Sequence, residues 1–81
     1  NSGAIIDHEC EIQQGVNIGP GCSLAGRVVI KKGALVNIGS SVRETVTIGE
    51  NAVIAAGSIV LDDVPDNVFA GGIPAKSLKK R

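Results

Sequence analysis

His8 stands between Asp7 and Glu9, and it is the only histidine in a chain of 81 residues. A neutral imidazole beside a carboxylate is suited to accept a proton near pH 7, so general-base work is one reading of this trio. A surface imidazole between two solvated acids is the other, and these three residues alone leave both open. The two cysteines, Cys10 and Cys22, have no zinc-ligand spacing, and a single histidine cannot complete such a set. No metal site is expected. The thiols read as structural groups of a reducing compartment, and the expected location is the cytoplasm.

What must position His8 is a six-residue pattern. A branched aliphatic recurs at Ile6, Ile12, Ile18, Leu24, Ile30, Val36, Val42, Ile48, Ile54 and Val60. Four places after each comes a second small residue, at Cys10, Val16, Cys22, Val28, Ala34, Ser40, Val46, Ala52, Ser58 and Val64. Between them, Gly15, Gly21, Gly33, Gly39, Asn51 and Gly57 supply residues that tolerate a positive φ. Period six fits no α-helix. The aliphatic and the small residue four later have the same parity, so both can face one side of a strand. Each hexad therefore reads as a short strand and a corner. Three corners close a triangle, so eighteen residues make one coil and ten hexads slightly over three. The fold expected is an all-β parallel β-helix over residues 1–65. Residues 66–81 form a closing loop and a basic tail, with 66–72 a loop or last edge strand carrying Phe69 and 77–81 one helical turn.

Residues eighteen apart must stack. Pro20, Ile38 and Ala56 form one corner column, flanked by Gly19, Gly21, Gly39, Ala55 and Gly57, an edge nearly free of bulk. Backbone exposed there could approach a long thin ligand, or the glycines merely turn corners. His8, Gly26, Glu44 and Asp62 form a second column.

Composition narrows the partners. Formal net charge is zero and no apolar run approaches the ~20 residues of a membrane span, so neither nucleic acid nor membrane is expected. One Phe and no Trp, Tyr or Met suit a narrow interior of stacked aliphatics better than a single large core. No initiator Met opens the chain, and only residues 1–5 precede the first hexad. A preceding segment is expected to cover that end of the solenoid, with this chain as the C-terminal part of a longer protein.

The hexads over residues 6–65 resemble those of left-handed β-helix acyltransferases, and Gly71-Gly72-Ile73-Pro74-Ala75-Lys76 resembles their closing loop. The opening Asn1-Ser2-Gly3-Ala4-Ile5-Ile6-Asp7-His8-Glu9-Cys10 is similar to the start of the β-helix in the sialic acid O-acetyltransferase family and its bacterial UDP-amino-sugar N-acetyltransferase relatives. The left hand of the helix is implied by this resemblance; general crossover rules favour the right hand. The resemblance implies His8 as general base, with Glu9 raising its basicity, and acetyl-CoA lying in a cleft between subunits of a homotrimer. It puts coenzyme contacts on Asn17, Ile38 and Ala56, and Gly26 near the thioester carbonyl. Gly72, Pro74 and Lys76 fall near the nucleotide end. The acceptor implied is a sugar or nucleotide-sugar, its amino group before its hydroxyl, with O-acetylation of sialic acid or a related sugar as the alternative. Some relatives have a second histidine where this chain has Asn17, and their N-terminal sugar-nucleotide-binding domain is not among these 81 residues. Two other classes compete. A γ-type carbonic anhydrase shares the fold but needs three histidines per metal, and an inert assembly helix needs no site at all.

Overall fold

The computed structural model describes residues 3–81; Asn1 and Ser2 of the opening motif lie outside them. Ten two-residue strands come first: β1 (Ile5–Ile6), β2 (Glu11–Ile12), β3 (Asn17–Ile18), β4 (Ser23–Leu24), β5 (Val29–Ile30), β6 (Leu35–Val36), β7 (Ser41–Val42), β8 (Thr47–Ile48), β9 (Val53–Ile54) and β10 (Ile59–Val60). In each, the second residue is the repeated aliphatic. Two longer strands follow, β11 (Val68–Gly72) and β12 (Ala75–Lys80).

The strands stack in three sheets, ordered β1-β4-β7-β10, β2-β5-β8 and β12-β11-β9-β6-β3. Ile6 pairs with Leu24 and Leu24 with Val42, in parallel and eighteen residues apart. The three-sided coil read from the hexads is thus the observed one. Inside it the aliphatic and small columns meet: Leu24, Val28, Ile30, Ala34, Val36, Ile48, Ala52 and Ile54 are sealed from solvent. Ile6 and Ile12 stay 46% and 38% exposed, because in the described residues a coil stacks on only one side of them. The buried Ser40 and Ser58 hydroxyls both donate to the Ala55 carbonyl, so the two polar members of the small column are satisfied.

The period ends earlier than Pro65. Val64 bridges Ile48 and Ala70 pairs with Ile54, each sixteen residues on, so the corner at residues 61–63 is two residues short. The Asp63 carboxylate accepts the Thr47 N–H there at 2.8 Å, in place of a backbone carbonyl of the next coil. With β10, the Val64 bridge and β11, the solenoid makes about four turns. Asp66 repeats the device by accepting the Glu50 N–H at 2.8 Å. This tight last turn depends on Gly49, where an added Cβ would lie 2.4 Å from the Asp66 nitrogen and 2.6 Å from the Pro65 carbonyl carbon. Gly49→Ala should therefore lower stability by about 1–3 kcal/mol, measurable by urea denaturation.

The tail is a strand and not a helical turn. β12 runs antiparallel to β11, with Gly72 opposite Ala75 and Val68 opposite Lys80. An unpaired β11 would present open N–H and C=O groups, and pairing with β12 satisfies them. The outermost edge is then carried by Lys76, Lys79 and Lys80, whose charges disfavour further strand addition.

Candidate active site

Two of the three corner columns that join the sheets turn on residues suited to a left-handed conformation. Gly15, Gly33, Asn51 and Asn67 serve one, and Gly3, Gly21, Gly39 and Gly57 the other, with φ between 56° and 74°. The third corner, between the β1 and β2 sheets, has Glu9, Arg27 and Thr45 at φ 63°, 62° and 64°. Three stacked side chains thus occupy a backbone region that costs a non-glycine residue about 1–3 kcal/mol, most unusual for β-branched Thr45. Such strain gathers at functional sites. His8 is on this corner.

The corner holds together across coils. The Arg27 N–H donates to the His8 carbonyl at 3.3 Å, and the Thr45 N–H to the Gly26 carbonyl at 3.0 Å. Arg27 Nε donates to Glu9 Oε1 at 2.9 Å, a link between residues eighteen apart and hence directly stacked. A cleft of about 260 Å³ opens beside these groups, lined by Asp7, His8, Ala25, Gly26, Arg27, Glu44 and Thr45. Gly26 leaves room there, since an added Cβ would meet only the His8 carbonyl oxygen, at 3.8 Å.

His8 is held by Asp7. The His8 backbone N–H donates to Asp7 Oδ1 at 2.7 Å, and Nδ1 of the ring lies 2.9 Å from the same oxygen. The backbone N–H first, and then the imidazole, hold the Asp7 carboxyl below its ordinary value of 3.8 against a small opposing desolvation. An ionised carboxylate can only accept, so an imidazole that hydrogen-bonds it does so from a protonated Nδ1, with the lone pair on Nε2. That arrangement suits proton abstraction at Nε2.

The Glu9 carboxylate accepts a hydrogen bond from Arg27 Nε in the next coil, and Asp7 is the acid hydrogen-bonded to the His8 ring. Asp62 leaves the His8 column, because the shortened corner removes it from the stack, and it does not line the cleft. The repeat itself marks the strained corner. The corner position eighteen apart at Glu9, Arg27 and Thr45 is the one that lacks glycine or asparagine.

The proposed coenzyme residues lie elsewhere. Ile38 and Ala56 stack on the corner between the β3 and β4 sheets, where the Gly57 N–H donates to the Ile38 carbonyl at 2.9 Å. Added Cβ atoms at Gly39 and Gly57 would meet nothing within 4 Å, so this edge is open as its low bulk implied. Gly72 extends the edge, its N–H donating to Ser58 Oγ at 3.1 Å. Pro74 and Lys76 follow, exposed in the closing hairpin. Asn17 is exposed at the start of β3, in the outward column with Leu35, Val53 and Phe69. The chain brings His8, Glu9 and Gly26 to one corner and Ile38, Ala56 and Gly72 to another. The β1-β4-β7-β10 sheet separates the two groups.

The sequence profile of the bacterial transferase hexapeptide family (six repeats) matches residues 27–62. No curated protein matches the chain by sequence. Among solved structures, the chain is similar to a mutant of perosamine N-acetyltransferase from Caulobacter crescentus in complex with CoA and GDP-perosamine. The TM-score is 0.96 at 38% identity, over 99% of this chain and 38% of that one. It is also similar to serine acetyltransferase from Brucella abortus strain S19, with TM-score 0.90 and 28% identity, over 96% of this chain and 35% of that one. The chain thus spans well under half the length of either enzyme. Its hexads match the hexapeptide-transferase repeat, and its fold is shared with these β-helix acetyltransferases.

Proposed function

We propose that the chain supplies the general base and the acetyl-CoA edge of an acetyltransferase whose acceptor is the amino group of a sugar or nucleotide-sugar. The His8–Asp7 pair beside an open cleft is the observation that carries this reading. In it, His8 Nε2 removes the proton from the acceptor nitrogen as that nitrogen attacks the thioester carbonyl. The carbon–sulfur bond then breaks, and the coenzyme thiolate takes a proton to leave as the free thiol. Asn17, Ile38 and Ala56 line the coenzyme path, Gly26 lies near the thioester carbonyl, and Gly72, Pro74 and Lys76 lie toward the nucleotide.

The two groups of residues lie on different edges of one prism, which favours a homotrimer in which the Ile38–Ala56 edge of one copy faces His8 of the next. The amine acceptor is preferred because the perosamine N-acetyltransferase is the more similar of the two enzymes, at 38% against 28% identity. The serine acetyltransferase match supports a hydroxyl acceptor as the second reading. A bacterial, cytoplasmic setting accords with these relatives and with two free thiols.

Calorimetric titration with acetyl-CoA, alongside light scattering, tests the reading. Binding to a trimer at about one site per chain is expected. Ala56→Trp should weaken that binding by at least about tenfold and leave the melting temperature unchanged, because Ala56 is exposed on an open edge. A stable trimer that binds no acetyl-CoA would instead be an assembly module.

A further inference from the structure

The geometry points to Asp7, and not the following acid Glu9, as the positioning residue that keeps His8 in the tautomer with its proton on Nδ1 and its lone pair on Nε2. This inference rests on the acetyltransferase reading for its catalytic consequence, but the tautomer itself can be observed without turnover.

The argument begins with the corner. A catalytic imidazole must be oriented, and the group that orients it must itself be fixed. The Asp7 carboxylate is fixed by the His8 backbone N–H at 2.7 Å, so the oxygen that meets Nδ1 is tied to the main chain of the residue it orients. The Arg27 N–H at the His8 carbonyl joins that main chain to the coil above. Glu9 instead accepts from Arg27 Nε at 2.9 Å and makes no hydrogen bond to the ring among the described residues. The ion pair thus does two things: it spans two coils of the strained corner, and it withdraws the second acid from the imidazole. Glu44 is the remaining charged group lining the cleft, and it makes no ion pair among the described residues. The depressed Asp7 carboxyl accords with this arrangement, because hydrogen bonds from the backbone N–H and the ring favour the ionised form.

The chain has one histidine, so long-range nitrogen–proton NMR spectra at alkaline pH report a single ring. Native chain should show a protonated Nδ1 and an unprotonated Nε2. Asp7→Asn should move the proton population toward Nε2, because the amide can donate to Nδ1 as well as accept from it. In acetyl-transfer assays the same variant should lower kcat/KM by about 10- to 100-fold with unchanged acetyl-CoA affinity. Asp7→Ala, which can neither donate nor accept, should show at least the same loss. A native-like ring tautomer in both Asp7 variants would overturn the inference. So would a ring that changes in Glu9→Gln and not in Asp7→Asn. His8→Ala measured in parallel keeps the two ideas apart. If it retains activity, the catalytic reading fails, while the ring spectra still decide whether Asp7 sets the tautomer.

Discussion

His8→Ala is expected to lower kcat for acetyl transfer by about 10²–10⁴-fold while leaving acetyl-CoA affinity within experimental error. The size follows from what a positioned general base contributes when the attacking atom must lose a proton as it bonds to carbon. Sparing of affinity follows from role: His8 takes the acceptor's proton, whereas the coenzyme path is lined by Ile38 and Ala56, on a different corner of each chain. The side chain is 77% exposed, so its removal leaves no core cavity and should not change the melting temperature. Steady-state kinetics and calorimetry on the same preparation check both halves. A loss under about threefold, with folding intact, would return His8 to the role of a solvated surface residue.

Ile30→Ala should cost about 2–5 kcal/mol and lower the melting temperature by about 10–30 °C. Ile30 is fully buried at the centre of the β2-β5-β8 sheet, paired with Ile12 below and Ile48 above. No other side chain can fill the space, because the interior is one aliphatic deep per strand and each backbone is pinned by ladder bonds on both sides. The Gln13 N–H donates to the Ile30 carbonyl at 3.0 Å, and the Lys31 N–H to the Ile48 carbonyl at 2.9 Å. A solenoid also transmits the damage, since each coil is stabilised mainly by its two neighbours. The exposed Ile12 supplies the contrast. At 38% exposure, Ile12→Ala loses less apolar contact and should shift the transition by a small fraction of that amount, as differential scanning calorimetry would show.

The hexapeptide period by itself determined the three-sided coil, its eighteen-residue register and the identity of the core columns. The reason is physical: a residue that recurs every six places, with a second small residue four later, can be buried only if the chain closes a triangle and stacks. Low bulk at Gly39, Ala56 and Gly57 likewise made an open edge legible, because nothing in those residues could fill it. Resemblance to a known family added the acyl-transfer reading, which no periodicity contains.

Three features were decided only by the tertiary structure. The last coil is two residues short because the Asp63 and Asp66 carboxylates replace backbone acceptors, and a side chain's ability to cap a strand depends on where the neighbouring N–H groups lie. The basic tail became β12 because the edge of β11 needed a partner, a demand that exists only once β11 has docked on β9. Finally, both acids flank His8 equally in sequence, yet one orients the ring and the other bonds Arg27 one coil away. Adjacency along the chain cannot choose between Asp7 and Glu9. The left-handed backbone at Glu9 and the stacking of Arg27 above it do.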